Sequence, residues 1–224
     1  MKICGLIISG LSKLLFGIAL VGLLLFLPAG TWQYWQAWVF IAVLFIPMLI
    51  MGVILLIKSP ELLTKRLNNK EKEATQKHVV ALSGLMFICG FVVCGLDHRY
   101  SWSHMPWWIV GMAAVLFLVG YAIYAEVMRE NTYLSRTIEV QENQKLIDTG
   151  LYGIVRHPMY TATLLMFLAM PFILGSWWGM AVFAVYPVLI IKRIQNEEQV
   201  LVVGLKGYTD YQQRVRWRLI PWVW

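Results

Sequence analysis

Four long apolar runs dominate the first part of the chain, and short polar or turn-forming segments separate them. The runs lie at about 5–27, 36–57, 79–97 and 107–128. A helix needs about 20 apolar residues to cross the hydrocarbon core of a bilayer, and each run reaches about that length. The pattern therefore predicts four transmembrane helices.

A fifth apolar run, at about 159–191, differs from the others in its length and in its centre. Its roughly 33 residues are too many for a single span. Pro171 and the pair Gly175-Ser176 lie near its middle, and such a combination favours a break in a helix. The run therefore predicts two helices folded back on each other as a hairpin.

The basic residues orient these elements, because loops rich in Lys and Arg stay in the cytoplasm. The 28–35 loop carries no charge, and Arg99 is the only basic residue of the 98–106 loop, apart from histidines. The 58–78 loop and both flanks of the fifth run are basic, with Lys58, Lys65, Arg66, Lys70, Lys72 and Lys77, then Arg129, Arg136, Lys145 and Arg156, then Lys192, Arg193, Lys206, Arg214, Arg216 and Arg218. We expect these segments and both termini in the cytoplasm.

The composition agrees with a protein that lipid solvates. Hydrophobic residues make up 59% of the chain and charged residues 14%, against about 25% charged in soluble domains. The net charge of +7 comes from short loops between apolar runs, which indicates a lipid bilayer as partner and no nucleic acid. A signal peptide is the alternative for the first 28 residues, but further spans follow and favour an uncleaved helix. The compact set of spans suits a bacterial inner membrane.

Several common site signatures are missing from the sequence. The four histidines form no i, i+4 pair, and Cys4, Cys89 and Cys94 all lie in apolar runs. We therefore expect no metal site and no disulfide framework. There is also no Gly-x-Gly-x-x-Gly motif, so a nucleotide-like cofactor would not be held by a Rossmann fold.

Residues 150–160, Gly-Leu-Tyr-Gly-Ile-Val-Arg-His-Pro-Met-Tyr, form the first cluster that is able to carry chemistry. Pro158 suits the first turn of a helix, which would leave Arg156 and His157 at the mouth of the hairpin. A juxtamembrane basic anchor with an interfacial Tyr160 is the alternative interpretation of this cluster.

Arg193, Glu197 and Glu198 form the second cluster, at the end of the hairpin. Arg193 and Glu197 share a helix face at i, i+4, so an intrahelical salt bridge is the alternative here. A hairpin brings its two ends side by side, however, so His157 and Tyr160 should meet Arg193 and Glu197. Such convergence of polar groups beside an apolar bundle predicts a ligand site.

The two clusters belong to a longer ordered pattern between about 130 and 221. It reads Gly-x-Tyr-x-x-x-Arg-His-Pro-x-Tyr, a helical hairpin, Arg-x-x-x-Glu-Glu, then Gly207-Tyr208…Tyr211…Arg214-Val215…Ile220-Pro221. This order resembles the catalytic domain of the isoprenylcysteine carboxyl methyltransferases. Phospholipid N-methyltransferases share a similar Arg-His-Pro and Glu-Glu pattern.

The resemblance implies an all-α integral membrane protein, with four full transmembrane helices, a C-terminal helical hairpin and a cytoplasmic cofactor-binding lobe. Residues 1–128 would be the transmembrane part and 129–224 the catalytic region of one structural domain. The family binds S-adenosyl-L-methionine, and the positions that would contact it here are Gln141, Gln144, Lys145, Leu146, Ile147, Tyr152, His157, Pro158, Met159, Tyr160, Glu197 and Glu198. Glu197 and Arg193 would be catalytic, with Glu197 at the polar end of the cofactor and Arg193 facing the methyl acceptor.

The methyl acceptor is expected to be lipophilic and to carry a carboxylate, which Arg193 would bind bidentately. A phospholipid, another amine or a thiol remains an alternative acceptor. Two rival functions also remain. A sterol-reductase-like NADPH enzyme shares the Tyr…Val…Arg-x-Ile-Pro ending, and a non-catalytic membrane protein or transporter would carry a charge deep in a span. For that last marker the only candidates are Lys13 and Glu126, and both lie near helix ends.

Overall fold

The computed structural model describes residues 3–67, 74–134, 140 and 143–224. Within these residues the chain forms nine α-helices and one 3-10 turn at Gly150–Gly153. The α-helices are α1 (Ile3–Ala29), α2 (Trp35–Lys58), α3 (Pro60–Leu67), α4 (Ala74–Tyr100), α5 (Trp107–Glu130), α6 (Pro158–Ile173), α7 (Trp177–Phe183), α8 (Tyr186–Gly204) and α9 (Tyr208–Arg214).

The four predicted transmembrane helices are confirmed as α1, α2, α4 and α5. All four are long and apolar enough to cross a membrane, and Trp177–Gly204 forms a fifth candidate span. Large apolar side chains of α1 point outward, and Phe16 and Leu27 are 68% and 70% exposed. Lipid must solvate such a surface. The chain is therefore an integral membrane protein.

The predicted hairpin is also confirmed, with its turn at the expected pair Gly175-Ser176 and no break at Pro171. Pro171 lies inside α6, and the chain turns after it, at Gly175, where φ is +72°. Glycine adopts such a backbone without a steric cost. The second arm is itself interrupted between α7 and α8, next to Pro187 in the first turn of α8. Proline cannot donate the backbone hydrogen bond that would continue a helix through this point.

A buried carboxylate fastens the hairpin turn to the end of α4. Asp97 is 1% exposed, and it accepts hydrogen bonds of 2.7 Å from both the backbone N–H and the hydroxyl of Ser103. The Ser176 hydroxyl donates to the same carboxylate, and Ser176 also caps α7 by accepting from Gly179 N. The turn is thus fixed by satisfied polar groups at the end of the bundle that lies away from α9.

Side chains from both halves of the chain share one core. Leu25 and Phe40 of the first two helices belong to the same buried cluster as Tyr160, Ile173 and Ile194 of the hairpin. The expected boundary after residue 128 falls inside α5. The division into a transmembrane part and a catalytic region stays a prediction.

The two charges considered as deep membrane sites both have partners. Lys13 of α1 donates to the carbonyl oxygen of Leu67 at the end of α3. Glu126 accepts from Arg129 at 2.6 and 2.8 Å, in the last turns of α5. The structure therefore uses Lys13 to join two helices, and it leaves Glu126 in a surface ion pair.

Replacing Gly95 by Ala is expected to destabilise the helix bundle. A Cβ atom at Gly95 of α4 would lie 2.6 Å from the backbone oxygen of Leu25 and 3.0 Å from Cβ of Pro28 in α1. Backbone atoms cannot rotate away, so we expect a loss of about 1–3 kcal/mol, the usual cost of overpacking. The matched control is Gly84→Ala in the same helix, where a Cβ meets nothing within 4 Å. Thermal unfolding in detergent should show a lower midpoint for the first variant only; equal midpoints would contradict this α1–α4 contact.

Candidate functional site

The start of α6 is held in place by the C-terminal segment of the chain. α6 begins at Pro158, as predicted, with His157 as the residue before it. The backbone N–H of Arg156 donates to the carbonyl of Trp217, and that of His157 donates to the carbonyl of Arg218, both at 2.9 Å. Residues 217–218 therefore run alongside 156–157, and they fix the direction in which the Arg-His side chains leave the backbone.

Glu198 of α8 is the centre of a buried ionic cluster. Its Oε1 accepts from Arg156 Nε at 2.8 Å and lies 3.2 Å from His157 Nε2. Its Oε2 accepts from Arg218 Nε at 2.9 Å. Arg156 also donates through Nη1 to the carbonyls of Val215 and Arg216, at 2.7 and 2.9 Å. The carboxylate thus joins α8, the start of α6 and the C-terminal segment.

Tyr160 of α6 lies between two other charged residues of α8, Arg193 and Glu197. Its side chain is 4% exposed, and its hydroxyl donates to Glu197 Oε2 at 2.5 Å. The same hydroxyl accepts from Arg193 Nε at 2.8 Å. The Arg193 guanidinium lies 5.9 Å from the centre of the Tyr160 ring. The structure therefore brings together the start and the end of the hairpin, with Tyr160 bridging an anion and a cation.

A cavity opens beside this group, between α6, α8, α9, the residues that follow α5 and the segment 144–147. It contains about 580 Å³ of empty space, part of which is open to solvent. The cavity is lined by Gln144, Lys145, Leu146, Ile147, Tyr152, His157, Pro158, Met159, Tyr160 and Glu197. All ten were among the candidate site residues of the sequence analysis.

Three other candidate residues have different positions. Glu198 lies in the ionic cluster behind the cavity wall, and Arg193 lies behind Tyr160, so neither lines the cavity. Gln141 lies outside the described residues. The two neighbouring carboxylates of α8 are therefore separated: Glu197 faces the cavity and Glu198 faces the protein.

Seven residues that the sequence analysis did not propose as site residues also line the cavity: Asn131, Leu134, Arg156, Leu201, Leu205, Tyr208 and Tyr211. The Gly-Tyr…Tyr pattern at 207–211 was a signal for the two tyrosines, because it belongs to the motif order quoted above. Leu201 follows Glu197 at i+4, so helical periodicity places it on the same face of α8, and Leu205 is the residue directly after that helix. Leu134 and Asn131 follow α5, and no motif marks them.

The tyrosines of the cavity wall keep their protons at neutral pH. Burial raises the pKa of Tyr152 to about 12, and burial also raises the pKa values of Tyr208 and Tyr211 well above their usual range. The Tyr152 hydroxyl accepts from Asn131 Nδ2 at 2.9 Å, and the Tyr211 hydroxyl donates to the Tyr152 carbonyl at 2.7 Å. The phenols of Tyr152 and Tyr211 are therefore uncharged, and both are hydrogen-bonded to protein groups.

Glu130, at the end of α5, shapes the turn that carries Tyr152. Its Oε2 accepts from the backbone N–H of Leu151 at 3.2 Å. Gly150 adopts a φ of +52°, and a Cβ atom there would collide with the Glu130 carboxylate. The turn therefore needs glycine at 150, both for its backbone and for the close approach of Glu130.

Comparisons with known proteins agree with this architecture. Residues 108–205, which run from α5 through α8, match the phospholipid methyltransferase family. The fold is similar to that of the eukaryotic intramembrane Ras methyltransferase, isoprenylcysteine carboxyl methyltransferase, solved without a monobody. The superposition has a TM-score of 0.56 at 19% sequence identity, and it covers 92% of this chain and 75% of that one. No curated protein sequence matches the chain.

The predicted family resemblance is confirmed. In its fold the chain is like isoprenylcysteine carboxyl methyltransferase, and in residues 108–205 it is like the phospholipid methyltransferases. Both comparisons are with methyltransferases. The matched segment contains the Arg-His-Pro and Glu-Glu motifs, whereas α9 and the C-terminal segment lie beyond it.

Proposed function

We propose that this chain is an S-adenosylmethionine-dependent methyltransferase that acts on a lipophilic acceptor carrying a carboxylate. The observation that carries the proposal is the arrangement at the hairpin mouth. Glu197 and Tyr160 line a cavity outside the bundle, and Arg193 contacts the same tyrosine from the other side. A donor site and an acceptor site would therefore meet at Tyr160.

The residues of the cavity fit the chemistry of S-adenosylmethionine. Glu197 offers a carboxylate to the ammonium group of its amino acid end. The rings of His157 and Tyr160, with centroids 5.8 Å apart, offer aromatic faces to a cation or to adenine. Among the described residues, the buried hydroxyl of Tyr208 has no hydrogen-bond partner. An unsatisfied polar atom in a cavity wall is what a site for a polar ligand would contain.

These residues would align the methyl donor with the acceptor and exclude water from the site. When bound, S-adenosylmethionine supplies an activated methyl group to a nucleophile that attacks in line with the methyl–sulfur bond. Holding the two partners in line lowers the entropic part of the barrier. The apolar side chains of Met159, Leu201 and Leu205 border the cavity, and they limit the access of water to it.

Arg193 supports the choice of a carboxylate acceptor. It lies one helical turn before Glu197, about 6 Å nearer the interior of the hairpin. A lipophilic acceptor that approaches from the bilayer would meet this guanidinium first, and Arg pairs with carboxylates through two parallel hydrogen bonds. A carboxylate also attacks without a general base. An amine acceptor would need to be neutral in order to attack, and a neighbouring guanidinium does not promote attack by its lone pair.

We place the cavity and both termini on the cytoplasmic side of a membrane. The basic segments described above support this orientation, because they flank the ends of α2, α5, α6 and α8 that lie near the cavity. A bacterial inner membrane stays a prediction. Activity of a C-terminal reporter enzyme that works only in the periplasm would contradict the orientation.

The acceptor class can be tested by transfer of label from radiolabelled S-adenosylmethionine. We expect the purified protein to label a prenylated cysteine or a fatty acid, and not phosphatidylethanolamine or an alkyl thiol. Arg193→Gln should raise the KM for the labelled carboxylate at least tenfold, since a charged hydrogen bond contributes about 1.5–3 kcal/mol. Lys192→Gln is the control, because Lys192 is exposed on the same helix. Label in phosphatidylethanolamine alone would contradict the assignment of a carboxylate as the acceptor. No label in any of the four compounds would contradict the proposed function.

A further inference from the structure

Tyr208 stands out among the buried phenols of the cavity wall. It begins α9, directly after Gly207, whose φ is +83°. Its side chain is 3% exposed and lines the cavity. Its hydroxyl is one of the few buried side-chain atoms that have no hydrogen-bond partner within the described part of the chain.

Two other phenols of the same wall have hydroxyls with partners in the protein. Tyr211 donates to the carbonyl of Tyr152, and the Tyr152 hydroxyl accepts from Asn131. Proteins rarely leave a buried hydroxyl unpaired. Because the Tyr208 side chain lines the cavity and the hydroxyls of Tyr152 and Tyr211 are satisfied by protein groups, its missing partner is expected to come from a ligand.

The surroundings of Tyr208 select the kind of ligand atom. Burial raises its pKa, and the nearby carboxylates of Glu198 and Glu197 raise it further. The hydroxyl is therefore a hydrogen-bond donor at neutral pH, and it needs an acceptor atom. Glu197 lines the same cavity, and beside the hydrogen bond from Tyr160 its carboxylate can accept from a further donor or bind a cation. In an α-amino acid, a carboxylate that can accept from Tyr208 and an ammonium group that can bind Glu197 are attached to the same carbon atom.

We propose that the Tyr208 hydroxyl donates a hydrogen bond to the α-carboxylate of S-adenosylmethionine, while Glu197 binds its ammonium group. The inference rests on the proposed function and assigns a binding role to a residue beyond the segment that matches the family. Lys145 also lines the cavity, but it is exposed at the rim. Added salt screens its charge, whereas it affects a buried hydrogen bond much less.

The test compares two ligands that differ only in the carboxylate. Binding of S-adenosylmethionine and of decarboxylated S-adenosylmethionine is measured by calorimetry on the full-length protein in detergent at 0.3 M salt. Tyr208→Phe is expected to weaken binding of the first ligand about tenfold or more and to leave binding of the second unchanged. Its unfolding midpoint without ligand should equal or exceed that of the wild type, since the lost hydroxyl makes no bond in the protein.

Tyr211→Phe is the matched control, because it removes a hydroxyl that does bond within the protein. We expect it to lower the unfolding midpoint and to affect both ligands equally. Equal affinities of wild type and Tyr208→Phe for S-adenosylmethionine would overturn the inference, as would an equal loss for both ligands. If neither ligand binds to the wild type, the proposed function itself is wrong.

Discussion

Replacing Glu197 by Gln is expected to weaken binding of S-adenosylmethionine by about ten- to a hundredfold. The change keeps the shape of the side chain and a carbonyl oxygen that can still accept from the Tyr160 hydroxyl, now 2.5 Å from the carboxylate. It removes the charge that would pair with the ammonium group of the ligand, and such charge-assisted hydrogen bonds contribute about 1.5–3 kcal/mol. Calorimetric titration in detergent measures the dissociation constant directly.

The fold should tolerate this substitution, because Glu197 is only half-buried and faces the cavity. We expect the unfolding midpoint to stay within a few degrees of the wild type. Glu126→Gln, which removes a carboxylate of an exposed surface pair, is the control for the loss of one negative charge. An unchanged affinity in Glu197→Gln would show that this carboxylate does not contact the ligand.

Replacing the neighbouring Glu198 by Gln is expected to have a large effect on stability. Its carboxylate bonds to Arg156 and Arg218 and lies 3.2 Å from the ring of His157. Arg156 is 7% exposed, so the substitution leaves a buried cation without its counter-charge. Breaking a buried ion pair in this way costs about 3–5 kcal/mol, which corresponds to a fall of roughly 10 °C in the unfolding midpoint.

Glu197→Gln and Glu198→Gln form a matched pair, since they change the same chemical group at adjacent positions. Glu197→Gln should lose affinity for the ligand and keep its stability. Glu198→Gln should mainly lose stability. In this account Glu198 is a positioning residue that fixes the C-terminal segment against the start of α6. A Glu198→Gln protein that unfolds like the wild type but fails to bind S-adenosylmethionine would instead make Glu198 a ligand contact, as the sequence analysis expected.

The contrast between these two glutamates shows where sequence reasoning ends. The basic residues on both sides of the fifth apolar run were sufficient to predict a hairpin, because they require its two ends to lie on one side of the membrane. The hairpin in turn places Tyr160 near Glu197. Adjacent residues of a helix point about 100° apart, however, and no local pattern indicates which of the two carboxylates faces the cavity.

Long-range contacts account for the other features that the sequence left open. The motif Arg214-Val215…Ile220-Pro221 gave no indication that the carbonyls of Trp217 and Arg218 bind the backbone of the Arg-His pair. The arm that contains the interruption between α7 and α8 packs against α4 and α6, and no local pattern indicates this packing. Pro187 permits the interruption but does not require it, just as Pro171 lies within α6 without ending it.

The most direct test of the proposed function is whether the wild-type protein binds S-adenosylmethionine and not NADPH, the cofactor of the rival reductase function. Both compounds are titrated calorimetrically into the purified protein in detergent at neutral pH. We predict saturable binding of S-adenosylmethionine at one site per chain, with no heat of binding from NADPH. Saturable binding of NADPH together with no binding of S-adenosylmethionine would contradict the proposed function.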